Sequence, residues 1–511
     1  MRVLPKPQQT WLTADSLYLG QVVTCVGGNA LKWTTAVNAL KNGMASAGVQ
    51  VRGAPGSSST ETTIALASSP TDHPLIAQAA KALGFSAAEA QGAFAQLGQE
   101  GYLFGATRLG AQTLIALVAP TERGLFYAVQ TLLQVLRSSK PGHVTQGAIA
   151  DAPTFFWRGI VEGFYGPPWT HEQRLRLLDF SGAYKMNLFI YAPKDDPFHR
   201  ERWREPYPEK QAQRLAELIA RAQAQMVEFC FAISPGLSMR YSSDEDFQRL
   251  LQKCDAVLDM GARWIGLFLD DIPNELQHPE DRERFPTLGQ AHAHIATRLW
   301  DYLQSRSPAL RLLLCPTQYV GTQSSPYLED LGTGTPEPVY IMWTGREVCS
   351  PEITPAEADG FGAPLKRKPF VWDNYPVNDY DRNRLMMGPV RARPPDLYHH
   401  LSGLVSNPMN EGEASKVALL TYADYLWNPQ AYAPEDSWQS ALTHLAGESE
   451  ARALLSNFCQ LTQSSFLWAQ EAPELKDQLH DFWKGHQAGG ATASQAAEEL
   501  RHHLQNLHDL D

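Results

Sequence analysis

Apolar and polar positions fall into a repeating rhythm through the middle of this chain. Short apolar runs of strand length recur at 159–165, 187–192, 228–233, 264–269, 311–315, 339–343, 369–372 and 403–405. Continuous apolar runs bounded by turn residues suit strands buried on both faces, as in a parallel sheet covered by helices. Most are separated by stretches of helical spacing, for example 211–225 and 247–260. Eight strands alternating with helices over about 270 residues predict a (β/α)8 barrel, whose usual size is ~250 residues. An open doubly wound sheet would want a Gly-rich phosphate loop after its first strand. The nearest candidate, Gly332-Thr333-Gly334-Thr335-Pro336, contains a proline, follows no strand and reads as an ordinary loop.

The flanks follow other patterns. Residues 1–150 mix β-like runs (17–19, 113–118) with Ala-rich stretches of helical spacing (75–83, 124–136), which predicts a small α/β domain. Asp151-Ala152-Pro153 marks its end. Beyond residue 428 the chain is rich in Ala, Leu and Gln, with helical runs at 438–446, 450–462 and 496–507 and a break at Gly489-Gly490. Trp468 and Trp483 there read as packing residues. The expected organisation is α/β: an N-terminal α/β domain over 1–150, a (β/α)8 TIM barrel over 151–428 and a C-terminal helical domain over 429–511.

Composition narrows the function classes. The 511 residues carry a net charge of −12 with no basic face evident, which argues against nucleic acid or an anionic membrane as partner. No signal-peptide core opens the chain and no segment is apolar for long enough to span a bilayer, so a cytoplasmic location is expected. Cys25, Cys230, Cys254, Cys315, Cys349 and Cys459 show no CxxC spacing and read as buried thiols.

The candidate chemistry sits at the strand ends, where a barrel places its catalytic groups. The fourth strand ends in Asp270-Asp271, followed at once by Ile272-Pro273-Asn274. Two carboxylates this close titrate as a unit, which predicts that one holds its proton near neutrality beside a fixed anion. A proton donor beside an anion is what acid-assisted bond cleavage needs. Other strands end in Glu162-Gly163-Phe164-Tyr165, Tyr191-Ala192-Pro193-Lys194-Asp195-Asp196, Pro316-Thr317-Gln318-Tyr319, Trp343-Thr344-Gly345, Trp372-Asp373-Asn374 and Ser406-Asn407-Pro408. Turn chemistry alone explains any one of them. Together they line one rim with aromatic faces, amides and carboxylates, a surface suited to stacking on a sugar ring and bonding its hydroxyls. Metal-dependent hydrolysis would want histidine ligands. His292 and His294 fall in a predicted helix, His399-His400 precede the eighth strand and His502-His503 lie in the tail, so they are expected mostly at the surface. The acidic stretch 373–381 lacks the ligand order of a calcium loop, and no Gly-x-Ser-x-Gly elbow is present. Neither a metal nor a cofactor is expected.

These motifs, together with Val161-Glu162-Gly163-Phe164-Tyr165-Gly166, Ile233-Ser234-Pro235-Gly236 and Asn378-Asp379-Tyr380-Asp381, resemble glycoside hydrolase family 84 in the same order along the chain. That is the family of O-GlcNAcases and related β-N-acetylglucosaminidases. The resemblance covers 155–428, with a weaker likeness of both flanks to bacterial members. It implies retaining hydrolysis of β-linked GlcNAc, O-GlcNAc on proteins included, in which the acetamido oxygen of the substrate attacks its own anomeric carbon to give an oxazoline. By resemblance, Asp270 would orient the acetamido N–H, and Asp271 would protonate the leaving oxygen and then activate water. Tyr319 and Asn374 match positions that steer the N-acetyl group, and Trp372 matches a wall of its pocket. Gly163, Lys194, Asp379 and Asn407 match contacts to the sugar hydroxyls, with Tyr165, Trp343 and Asp373 around the pocket. Gln318 departs from the animal enzymes, which have Glu there. Expected partners are GlcNAc-bearing glycopeptides, glycoproteins or small glycosides; the oligomeric state stays open. The alternatives are a hyaluronidase-like or other glycan-degrading glycosidase, and a non-catalytic carbohydrate-binding barrel.

Overall fold

The computed structural model describes residues 3–53, 62–447 and 450–469, with a few isolated positions beyond. Eight parallel strands close a barrel: β1 (Arg158–Glu162), β2 (Leu188–Tyr191), β3 (Glu228–Ile233), β4 (Trp264–Phe268), β5 (Arg311–Cys315), β6 (Tyr340–Trp343), β7 (Phe370–Asp373) and β8 (Gly403–Ser406). Each pairs with the next, and β8 returns to β1 with Leu404 opposite Arg158. The (β/α)8 expectation is met.

Because side chains alternate along a strand, each apolar run feeds two cores. On β5, Leu313 and Cys315 belong to the barrel interior, while Leu312 and Leu314 pack against the surrounding helices. The interior is filled rather than open. Trp157 meets Trp264 edge-on at 4.7 Å, Trp264 stacks on Tyr340 at 5.1 Å, and higher up Phe268 lies 5.6 Å from Trp372. The outer helices start on side-chain caps: Thr170 and Gln173 form a capping box for helix His171–Ala183, and Ser243 caps Asp244–Asp259 ahead of three acidic residues in its first turn. Gly332-Thr333-Gly334 is not a loop. It forms the last turn of helix Pro326–Gly334, started by Pro326 and capped by Ser325, and Gly332 allows the Pro364 carbonyl to lie where a Cβ would be.

Ahead of the barrel lies a seven-stranded mixed sheet, parallel at Val22–Gly27, Gln50–Gly53, Thr62–Ala67 and Gln112–Val118, and antiparallel where Tyr102–Leu109, Gly147–Asp151 and Gln9–Thr10 join. Helix Glu122–Ser138 packs on it, with 124–129 and 131–135 buried. The sheet meets the barrel at the N-terminal end of β1 through ion pairs. Buried Arg158 meets Glu100 at 2.8 Å, and Lys185 meets Asp151 at 3.3 Å, while Asp151 also accepts from the Trp427 indole at 2.7 Å. This junction lies at the opposite end of β1 from the polar strand ends.

Behind the barrel, helices Gly412–Trp427, Pro434–Ala446 and Glu450–Leu461 follow in turn. The helical run at 496–507 and the break at Gly489-Gly490 lie outside the described residues. Among the described residues no helix is long and apolar enough to cross a membrane. His292 departs from the expected surface position. It is fully buried, held between the hydroxyls of Tyr241 and Tyr327 at 2.9 Å each, and burial lowers its pKa to about 3, so it stays neutral.

Candidate active site

The C-terminal strand ends converge on a pocket of about 630 Å³. The two candidate catalytic residues and the seven candidate contacts line it: Gly163 after β1, Lys194 after β2, Asp270 and Asp271 after β4, Tyr319 after β5, Trp372, Asn374 and Asp379 on and after β7, and Asn407 after β8. Cys315 also lines it, with Tyr165, Thr344, Glu347, Val348, Cys349, Val377, Tyr380 and Phe466.

An extended strand would send Asp270 and Asp271 to opposite faces. Asp271 instead has φ of 52°, in the left-handed region that Asp tolerates at a cost of roughly 1 kcal/mol. This turn brings the second carboxylate to the same pocket, and its surroundings hold it. The Leu269 N–H donates to the Cys315 carbonyl (2.8 Å), Thr317 Oγ1 donates to the Leu269 carbonyl (2.7 Å), and Arg200 Nη2 donates to the Asp271 carbonyl (3.0 Å).

The two carboxylates have different surroundings. Asp270 is buried, and its Oδ2 pairs with the Lys194 ammonium, while its Oδ1 has no hydrogen-bond partner among the described residues. Asp271 leaves a third of its side chain open (33%), and accepts from the Tyr319 hydroxyl on Oδ1 (2.8 Å) and from the Tyr165 hydroxyl on Oδ2 (2.7 Å). Burial pushes Asp271 up. The Lys194 charge 4.0 Å away, the two phenol donors and Arg200 outweigh burial and hold it below the usual carboxylate range. At Asp271 a nearby cation and donated hydrogen bonds favour the anion, the opposite direction from the retained proton that two adjacent carboxylates predict. Lys194 is likewise pulled down by burial, but Asp270 and Asp271 hold it above its ordinary value, so it stays charged. Paired with Asp270, it retains further N–H donors for a ligand.

The far wall is a linked set of amides around Trp372. Asn374 Oδ1 accepts from the Trp372 indole N–H (2.9 Å) and from Asn407 Nδ2 (2.8 Å), and Asn374 Nδ2 donates to the Val348 carbonyl (2.8 Å). Asn407 Oδ1 in turn accepts from the Gly163 N–H (3.2 Å), and Asp379 Oδ2 accepts from the Tyr165 N–H (2.8 Å). Gly163 is fixed by contact: a Cβ there would lie 2.1 Å from Trp372 Cζ2. Gly163→Ala is expected to displace the indole and to destabilise the fold by about 1–3 kcal/mol, as overpacking does. Chemical denaturation checks this, and a wild-type midpoint would contradict the close packing.

Of the three outer candidates, Tyr165 alone lines the pocket. Met342 and Trp372 point into the barrel, so their neighbours Trp343 and Asp373 face outward. Trp343 stacks on Phe361 at 5.5 Å and donates to the Gly321 carbonyl, and Asp373 is locked to buried Arg393 at 2.8 Å. Glu162 likewise turns outward onto Arg174, and Asp196 accepts the hydroxyls of Tyr191 and Tyr207. Among the described residues no three His, Cys, Asp or Glu side chains are grouped to hold a metal ion.

Residues 158–460 match the family described as beta-N-acetylglucosaminidase, and residues 1–152 match domain 2 of glycosyl hydrolase family 20. The chain belongs to the β-N-acetylglucosaminidase family, glycoside hydrolase family 84. It is 38% identical over 285 residues to the protein O-GlcNAcases of Rattus norvegicus and Mus musculus, a stretch covering 55% of this chain and 31% of each relative. The chain thus spans about a third of the length of these curated relatives. Among solved structures it is similar to a mutant O-GlcNAc hydrolase of Thermobaculum terrenum (40% identity, TM-score 0.64, 69% of this chain and 76% of that one). It is also similar to CpGH84B (29% identity, TM-score 0.78, 99% and 84%).

Sequence reading within this family missed two residues of note, Arg200 behind the pocket and Phe466 on its lining. Arg200 lies in the loop that begins at Lys194, in no pattern that marks it as reaching back to β4. Phe466 comes from the segment after helix Glu450–Leu461, packs edge-on against Tyr375 at 5.8 Å and reaches the pocket from beyond the barrel.

Proposed function

We propose that this chain is a retaining β-N-acetylglucosaminidase that removes terminal β-linked GlcNAc, including O-GlcNAc on Ser or Thr of proteins, by substrate-assisted catalysis. The observation that carries the reading is Asp270. A buried carboxylate oxygen without a donor is costly, and its Oδ1 in a sugar-sized pocket is matched by the N–H of a 2-acetamido group.

The steps follow from that placement. Asp270 accepts the acetamido N–H and aims the acetamido carbonyl oxygen at the anomeric carbon. As that oxygen forms its bond to C1, the bond from C1 to the leaving oxygen breaks, and Asp271 passes a proton to the departing group. Asp270 stabilises the positive charge on the oxazoline nitrogen. Water then attacks C1 from the face that was vacated, Asp271 takes its proton, and the acetamide re-forms with the configuration retained. Asp271 has to gain its proton in the complex. A bound sugar strips water from it and engages the hydroxyls of Tyr165 and Tyr319, and both changes raise its pKa. Trp372 and the Asn374–Asn407 pair wall the acetamido side, and Lys194 and Asp379 offer a donor and an acceptor to sugar hydroxyls.

The names of the relatives, protein O-GlcNAcase and O-GlcNAc hydrolase, support glycoprotein or glycopeptide substrates. Six unpaired cysteines fit a reducing compartment and so a cytoplasmic location. The test is turnover of an aryl β-N-acetylglucosaminide beside the matching β-glucoside, with a chelator present. Only the first should be hydrolysed. Hydrolysis of both would mean an enzyme nucleophile and would overturn the role of Asp270.

A further inference from the structure

We propose that Arg200 is a positioning residue for Asp271: it anchors the left-handed turn that delivers this carboxylate to the pocket and, through Tyr165, supports its charged form when the proton has been given up. The inference rests on the glycosidase reading above, in which Asp271 exchanges a proton twice per turnover.

Arg200 is only 9% exposed, and two of its nitrogens reach the same residue by different routes. Nη2 donates to the Asp271 carbonyl oxygen at 3.0 Å, at a backbone position with φ of 52°. Nη1 donates at 3.2 Å to the Tyr165 hydroxyl oxygen, and that hydroxyl donates at 2.7 Å to Asp271 Oδ2. A phenol whose oxygen accepts from a guanidinium is a stronger donor on its other side, because the two bonds polarise the hydroxyl in the same sense. The guanidinium plane thus holds both the backbone and the carboxylate of one residue, which a lysine ammonium could not do in the same geometry.

The loop that carries Arg200 is itself fixed. Asp196 Oδ1 accepts from the Phe198 N–H at 2.8 Å, and His199 Nδ1 sits 2.7 Å from the Ala232 carbonyl. Lys194 starts the same loop and ion-pairs with Asp270. One loop therefore sets both carboxylates, Asp270 through Lys194 and Asp271 through Arg200. Among the described residues, the charged and titratable groups facing Asp271 include Lys194 from this loop, Tyr165 after β1, Cys315 at the end of β5 and Tyr319 after it, its neighbour Asp270, and Arg200.

The experiment compares wild type, Arg200→Met, Arg200→Lys, Tyr165→Phe and the Arg200→Met/Tyr165→Phe double variant on an alkyl and an activated aryl β-N-acetylglucosaminide across pH. Thermal unfolding is measured beside them. Arg200→Met should lose about tenfold in kcat/KM on the alkyl glycoside and clearly less on the aryl one, which needs little protonation. With a positive charge removed, Asp271 holds its proton to higher pH, so the alkaline limb of the kcat profile, which reports the complex, should move up. Arg200→Lys should recover only part of the loss. The double variant should lose less than the product of the single losses, because both act through one chain of hydrogen bonds. Equal losses on both substrates with an unmoved limb would reduce Arg200 to a structural role and overturn the proposal, as would wild-type kinetics. If Arg200→Met unfolds, Arg200→Lys and Tyr165→Phe still decide it through the limb and the leaving-group split. A wild-type protein that hydrolyses neither substrate would instead remove the glycosidase reading itself.

Discussion

Asp271→Asn should lose roughly 10²–10⁴-fold on substrates with alkyl leaving groups, the usual range for a positioned proton donor. The loss should be much smaller on dinitrophenyl-type glycosides in the first step. A serine or threonine alkoxide is a poor leaving group and departs only with a proton, whereas an activated phenolate leaves unassisted. The amide keeps the volume of the carboxylate and can still accept from Tyr319 or Tyr165, so the turn at residue 271 should persist. What disappears is the exchangeable proton. The second step then becomes limiting on aryl substrates, because water has lost its base. A small anionic nucleophile such as azide, which needs no base, should restore part of that rate and give the β-azide. Rate measurements on the two leaving-group classes, with and without azide, check this. Equal losses on both classes without azide rescue would take the acid–base role away from Asp271.

The barrel was legible because its strands are buried on both sides. The apolar runs at 228–233 and 311–315 coincide with β3 and β5, and no strand of the eight was missed. The pocket residues were legible for a different reason: strand ends in a barrel share one rim, so motifs scattered over the middle of the chain must meet there. Spacing alone could not show which of two adjacent residues points inward. Trp343 and Asp373 look like rim residues in sequence, but pairing register turns them toward the helices while Met342 and Trp372 take the interior. The reverse failure occurs at Asp271, where the two-residue alternation would exclude one carboxylate and a left-handed backbone overrides it. The direction of its pKa shift was not visible in the Asp-Asp pair alone. The partners that stabilise the anion, Lys194, Tyr165, Tyr319 and Arg200, come from three other strand ends, and only the folded barrel brings them together. Phe466 was beyond reach for the same reason, since nothing local in 463–469 marks a residue that returns to the barrel mouth.

Asp270→Asn should depress turnover on good and poor leaving groups alike, by about 10²–10³-fold, the scale on which removing one preorganised charge-stabilising group acts. The reasoning is that acetamido participation precedes any question of the leaving group. Its signature is therefore the nucleophile: fluorinating the N-acetyl group makes the carbonyl oxygen a weaker attacker, and the wild-type rate should fall steeply with each fluorine. In Asp270→Asn the same series should be flatter, because the carboxylate no longer strengthens that attack. The substitution also has a structural effect. It leaves the buried Lys194 ammonium with Asp271 at 4.0 Å as its remaining anion, and breaking a buried pair in this way costs about 3–5 kcal/mol. Stability and chemistry can be separated by adding Lys194→Met. The double variant removes the stranded charge, so it should recover much of the lost stability while recovering none of the rate. Denaturant midpoints and the fluorinated series, measured on the single and double variants, decide between them. A double variant that regained both would mean that Asp270 serves Lys194 rather than the substrate, whereas a steep fluorine dependence surviving in Asp270→Asn would leave the acetamido group to act without it.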